Sequence, residues 1–242
     1  MRGHWSIQKG VFGALLFTLL PLAATAQDKV EADVSADLVS GYVWRGQDLG
    51  SAAIQPTLSV SYKGFSVEAW GSCGIANPDD TKEFDLTLQY EIGGFHIGVT
   101  DYFYMGDIPE GRSEKFFMFE ADRTVHEFEA TIGYDFGVLS ASWSTIFAGN
   151  DGLNKSGNRA YSSYVEVTAP FKLGGLDWEA TVGATPYATS YYEDASGFAV
   201  INTSLKAAKE INITPTFSLP LYGILTANPS TGNLYFTVGL TL

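Results

Sequence analysis

A row of acidic residues shares one face of the alternating segments of this chain: Glu68, Asp85, Glu91, Glu127, Glu129, Asp135, Glu166, Asp177 and Glu179. Successive side chains of a strand point to opposite faces, so residues two apart meet the same surroundings. A wall lined with carboxylates raises the energy of an entering anion and favours cations or neutral polar solutes. Glu68, Asp85, Glu127, Glu129, Glu166 and Glu179 are therefore the candidate lining of a pore. Candidate positive partners are few. Arg45 and Arg159 stand at strand ends on one rim, and Lys206, mid-wall, has Glu166 or Glu179 as a partner. Two arrangements stay open. In one, an arginine faces the acids across the constriction of an open passage; in the other, paired side chains fill the interior and nothing is conducted. For Arg45 the simpler role is to tie segment 45–52 to a nearby carboxylate.

Catalysis has little to work with. Beyond the export segment described below, the histidines are His96 and His126. A lipid hydrolase needs a nucleophile and a base within hydrogen-bond reach. His126 shares the apolar face with Phe128, whereas Ser144 and Ser162 have the opposite parity, and His96 points inward near a tight turn. No catalytic residue is assigned. Two histidines and one cysteine are too few for an imidazole or thiolate metal site, and no glycine-rich phosphate loop follows a strand. Cys73, near Ala69 and Gly71, reads as a small wall residue. Asn77-Pro78-Asp79-Asp80 and Gly149-Asn150-Asp151-Gly152 lack the spacing of a calcium loop and read as ordinary turns. Neither a cofactor nor a metal is expected.

The acids must be positioned by strands. Period-two alternation recurs in segments of roughly nine to eleven residues, the length a tilted strand needs to cross a bilayer. Phe128, Ala130, Ile132, Tyr134 and Phe136 alternate with Glu127, Glu129, Thr131, Gly133 and Asp135. Leu234, Phe236, Val238, Leu240 and Leu242 alternate with Tyr235, Thr237, Gly239 and Thr241. The expected strands are 30–44, 53–62, 65–74, 82–91, 94–104, 125–136, 138–148, 159–171, 176–187, 198–207, 211–219 and 233–242, about twelve, with ten or fourteen as alternatives. Their connections alternate between tight turns and the long loops 45–52, 75–81, 105–124, 149–158, 188–197 and 220–232. That order predicts an all-β fold: one antiparallel transmembrane β-barrel with short periplasmic turns and long extracellular loops. Tyr62, Phe65, Tyr90, Phe95, Tyr134, Phe136, Phe171 and Trp178 flank the tight turns on the apolar face and read as an aromatic girdle. Tyr42, Trp44, Phe84, Phe128, Phe147 and Tyr161 are the candidates for a second girdle at the other rim.

No segment after the start of the chain has 18 consecutive apolar residues, so a membrane would have to be crossed by strands. At the start, Arg2 and Lys9 flank an apolar stretch, Val11 to Leu22, that ends at Ala24-Thr25-Ala26, the pattern of a cleaved signal peptide over residues 1–26. Losing its two positive charges takes the net charge from −13 to −15. So acidic a chain has no clustered Lys and Arg for nucleic acid. Cys73 alone excludes an internal disulfide in an oxidising compartment. Uniform composition makes residues 27–242 one domain. The expected location is the bacterial outer membrane. Expected partners are its lipid, the barrel-assembly machinery, which would read the apolar terminal run, and a small solute the sequence does not name.

At Ser35-Ala36-Asp37-Leu38-Val39-Ser40-Gly41-Tyr42-Val43-Trp44-Arg45-Gly46 the chain resembles the opening strand of the TorF-type outer-membrane porin family, bacterial barrels of poorly known function. The resemblance continues from Gln55 to Trp70, through a second strand, a Lys-Gly turn and a third strand, and covers about the first third of the chain. It implies an outer-membrane location and pore function, and supplies no substrate. The function read from the sequence is a porin-like passive channel for small polar or cationic solutes. The alternative is a non-conducting barrel that binds or supports through its loops.

Overall fold

The computed structural model describes residues 29–77, 80, 82–106, 108–193, 195–214 and 217–242. The export segment expected over residues 1–26 lies outside them. A ribbon with one apolar face and two unpaired edges satisfies both by closing on itself. The strands are β1 (Glu31–Val39), β2 (Tyr42–Trp44), β3 (Gln47–Gly50), β4 (Ala53–Tyr62), β5 (Phe65–Gly74), β6 (Lys82–Ile92) and β7 (Phe95–Met105). They continue as β8 (His126–Asp135), β9 (Ser140–Gly149), β10 (Ser163–Leu173), β11 (Leu176–Thr185), β12 (Ala199–Thr214), β13 (Phe217–Asn228) and β14 (Asn233–Thr241). Twelve of them close an antiparallel barrel, and β2 with β3 forms a separate hairpin. The closing seam joins β1 to β14 in the register Asp37 to Thr241 and Val39 to Gly239. There the Thr241 hydroxyl donates to the Asp37 carboxylate at 2.5 Å.

The distribution of side chains is inverted relative to a water-soluble domain. Val34, Leu58, Val67, Leu88, Ile97, Ile132 and Phe236 are exposed on the outside, whereas Asp37, Gln55, Glu83, Asp85, Glu127 and Glu129 are buried inside. At the short-turn rim the outward aromatics pair across strands, Phe65 with Tyr90 at 4.5 Å and Phe171 stacked on Trp178 at 6.0 Å, and along one strand end, Tyr134 with Phe136 at 4.8 Å. Tyr62 and Phe95 border turns of the same rim.

Inside the wall, large rings lie over glycines of the neighbouring strand. A Cβ on Gly183 would overlap the Tyr164 hydroxyl, one on Gly239 the Tyr222 ring, and one on Gly133 the His96 ring. Gly183→Ala is therefore expected to displace Tyr164 and destabilise the barrel by about 1–3 kcal/mol, as overpacking does. Urea unfolding from lipid vesicles measures it, and an unchanged midpoint would show that the ring has room to move.

The strand boundaries differ from the sequence reading most in three regions of the chain. The first strand stops at Val39 instead of 44. Ser40 still takes part in the seam, its N–H donating to the Val238 carbonyl at 2.8 Å and its hydroxyl accepting from the Val238 N–H at 2.9 Å, and then the chain leaves the wall. The strand expected from 159 starts at Ser163, because Tyr161 has φ 52° and Asp151 holds the Ser162 N–H at 3.2 Å. Residues 208–210 are not a turn, since β12 runs on to Thr214 and β13 runs through most of the loop expected at 220–232. Pro220 stands opposite Glu210 of β12 and lies beyond the last β13–β14 pair, Leu221 with Leu240, so β13 is paired there on one side only. The final connection is thus short, and the alternation of short and long connections ends before it.

Candidate functional site

The hairpin of β2 and β3 turns at Arg45 (φ 49°) and Gly46 (φ 79°), two left-handed residues that make the tight turn antiparallel strands favour. Its alternating side chains Tyr42 and Trp44 are buried together with Trp70, Tyr102, Tyr164, Tyr192 and Ile201. These come from the wall strands β5, β7, β10 and β12 and from the connection between β11 and β12, so the hairpin is folded into the barrel mouth. Arg45 is its anchor. The guanidinium forms a two-pronged ion pair with Glu129 at 2.6 and 2.8 Å, and donates to the Tyr192 hydroxyl at 2.8 Å. It lies 4.3 Å from the Trp44 ring centre and 4.4 Å from that of Tyr164. Planar, delocalised and weakly hydrated, guanidinium suits such a slot better than an ammonium would. Burial works against its charge, but the Glu129 carboxylate overrides burial and holds the Arg45 pKa well above its ordinary value.

The other mouth carboxylates are used in the same way. Tyr42 donates to Glu83 at 2.8 Å, Tyr102 to Glu129 at 2.9 Å, and Tyr191 to Glu127 at 2.6 Å, with Asn150 adding a bond to Glu127 at 2.8 Å. Burial raises the pKa of Tyr42, Tyr191 and Tyr192, which therefore remain donors. At the foot of the hairpin, Asp80 accepts from the Ser51 hydroxyl, from the Ser51 N–H at 3.0 Å and from Asn77 at 2.9 Å. The Ser51 hydroxyl chiefly holds the Asp80 pKa below its ordinary 3.8. A depressed carboxyl stabilises its clamp above that pH, and the contribution is lost as the pH falls below it. Hydrogen-exchange protection of the Ser51 amide is expected to hold down to about pH 4 and to fall in stronger acid. Protection that persists there would remove Asp80 from the clamp.

Beneath the hairpin lies a cavity of about 80 Å³ bordered by Arg45, Trp70, Glu166, Glu179, Asn202 and Lys206. Residues 23–238 match the Gcw_chp family, described as bacterial proteins of unknown function. The chain belongs to the Gcw_chp family. That match does not carry the TorF-type name that residues 35–46 resemble. No curated protein matches this Gcw_chp chain in sequence. One solved chain, from a study of the in-meso crystallization of membrane proteins, is 7% identical with a TM-score of 0.42, covering 88% of this chain and 83% of its own. The outer membrane protein opdK from Pseudomonas aeruginosa is 11% identical with a TM-score of 0.36. The similarity covers 89% of this chain and 60% of that protein's length.

Within this Gcw_chp barrel the residues singled out from sequence fall into three groups. Glu127 and Glu129 sit at the mouth and hold the hairpin and loops, and Arg45 ties the hairpin to one of them. Glu166, Glu179 and Lys206 border the cavity, Lys206 standing opposite Glu179 in the β11–β12 register. Glu68 and Asp85 face inward on β5 and β6, the first half-buried and the second buried. Arg159 does not join them. It lies in the connection between β9 and β10, 3.5 Å from Asp151, donates to the Gly149 carbonyl at 2.7 Å and packs over Tyr161.

Tyr42 and Trp44 are not in an outer girdle, because the strand that would have carried them outward ends at Val39 and they turn into the mouth. Tyr191, Tyr192, Trp70, Glu83 and Asn202 were not singled out from sequence. The adjacent tyrosines, in the middle of a connection where polar residues are usual, were the available signal. His126, on the outer face, spends one ring nitrogen on Asp101 at 2.7 Å and the other on the Phe116 carbonyl at 2.7 Å.

Proposed function

We propose that this chain is a bacterial outer-membrane channel for small polar or cationic solutes, closed at its mouth by the hairpin of β2 and β3 until that hairpin is displaced. One observation carries the reading: the rings that fill the mouth gather around a separate hairpin, tethered at Val39 and Ala53, that takes part in no ladder of the barrel. An element joined to the wall by two short tethers leaves without disturbing a single barrel ladder. The apolar outer belt, the rim aromatics and strands long enough to cross a bilayer support the membrane location. The polar lining supports the solute class. Export with removal of residues 1–26, surrounding outer-membrane lipid and insertion by the barrel-assembly machinery complete the proposal. Nucleic acid and catalysis have no part in it, and His126 has both ring nitrogens engaged elsewhere.

The test is current through the refolded protein in a planar bilayer under a salt gradient. Brief, infrequent steps with a cation-selective reversal potential are expected. A second reading, a non-conducting barrel that acts through its loops, is favoured by the packing of Tyr191 and Tyr192 onto the hairpin. It takes over if a folded, heat-modifiable barrel passes no current even after Arg45→Ala.

A further inference from the structure

We infer that the cavity beneath the hairpin is a binding site for a small neutral polyol of about glycerol's size. The inference rests on the channel reading and narrows its solute class. Size is the first constraint. A water needs roughly 10–15 Å³ of such space, so about 80 Å³ holds about five to eight waters, or a solute of about six non-hydrogen atoms.

Charge is the second constraint. Glu166 and Glu179 border the cavity together with Arg45 and Lys206, so an ion of either sign meets a like charge as well as an opposite one. A neutral solute meets neither penalty.

Hydrogen bonding is the third constraint and decides the chemistry. Trp70 is 4% exposed and Asn202 8%, and both border the cavity. Among the described residues the Trp70 indole N–H and the Asn202 side-chain oxygen have no partner, although the Asn202 amide nitrogen donates to Tyr164 at 3.0 Å. One is a donor and the other an acceptor. An ammonium only donates and a carboxylate only accepts, whereas a hydroxyl does both. One hydroxyl of a glycerol-sized triol accepts from Trp70, and its three hydroxyl protons are enough to donate to Asn202, Glu166 and Glu179. The Trp44 and Tyr42 rings, which also border the cavity, offer apolar surface to the carbon chain.

The test is a titration of the refolded, indole-¹⁵N-labelled barrel with glycerol, and separately with methylammonium and formate. The Trp70 indole signal, assigned by its loss in Trp70→Phe, is expected to shift saturably at millimolar glycerol. The signals of Trp143 and Trp178, whose indoles already donate to Thr145 and to the Leu173 carbonyl, are expected to stay. Asn202→Leu, or Asn202→Ala where the leucine variant does not refold, is expected to weaken binding roughly tenfold, the worth of one lost hydrogen bond. An absent shift, an unsaturable drift of all indoles, or saturation by methylammonium instead would overturn the inference. Saturation by glycerol in a barrel that never conducts keeps the site and removes the channel, while current without saturation removes the site alone.

Discussion

Arg45→Ala is expected to raise the time-averaged conductance of the barrel roughly a hundredfold while leaving the barrel folded. The Arg45 side chain is 9% exposed and Glu129 1%, so the pair is desolvated. Removing one member of a buried pair costs about 3–5 kcal/mol, since the other charge is left uncompensated. Each 1.4 kcal/mol is a factor of about ten in the ratio of seated to unseated hairpin. Tyr102 still donates to Glu129 and keeps the effect toward the lower end of that range. None of the barrel's strand ladders passes through Arg45, so heat-modifiable gel mobility should match the unsubstituted protein. Single-channel recording reads the open fraction. An open fraction unchanged by the substitution would mean that the ion pair does not hold the hairpin.

Gly46→Ala is expected to act as strongly by a purely steric route. Gly46 has φ 79°, a left-handed conformation that costs an alanine about 1–2 kcal/mol. A Cβ there would in addition overlap the backbone carbonyl of Ile201 on β12, and backbone of a wall strand does not yield as a flexible side chain does. The seated hairpin therefore becomes the strained state and the displaced one is relieved. Conductance should rise at least as far as with Arg45→Ala, with no change in charge and hence with the same reversal potential. A rise accompanied by altered selectivity would point to a rearranged wall in place of a released hairpin.

The barrel was largely legible in the sequence because its rule is local: every second residue tells which face is apolar and outward and which is polar and inward. Glu127 and Glu129 against Phe128 and Ala130 need no tertiary information. The hairpin was not legible for the same reason. Tyr42, Val43 and Trp44 continue the period of β1, and nothing in alternation distinguishes a strand that stays in the wall from one that bends into the mouth at Ser40 and Gly41. The signal that separates them is turn chemistry, the two left-handed residues Arg45 and Gly46, which requires a hairpin where a wall strand would run straight on. The end of β12 was misplaced because a turn was read between strands 198–207 and 211–219, where the structure carries one strand on to Thr214. As for the site, alternation places Glu127 and Glu129 on the inward face, but Glu83 was not singled out, and the use of Glu83, Glu127 and Glu129 as acceptors for Tyr42, Tyr191, Tyr102 and Arg45 depends on elements distant in sequence. The tie between Arg45 and a carboxylate was open to reading in advance, because an arginine beside so many acids has few other partners.

The most direct test of the hairpin as the closing element is to excise it. Replacing residues 42–50 by a short Gly-Ser linker leaves every barrel strand and its register intact. Current through this variant in a planar bilayer under a salt gradient is expected to be large, long-lived and cation-selective, where the unsubstituted barrel gives only rare openings. A folded, heat-modifiable variant that still passes no current would contradict an open lumen beneath the hairpin.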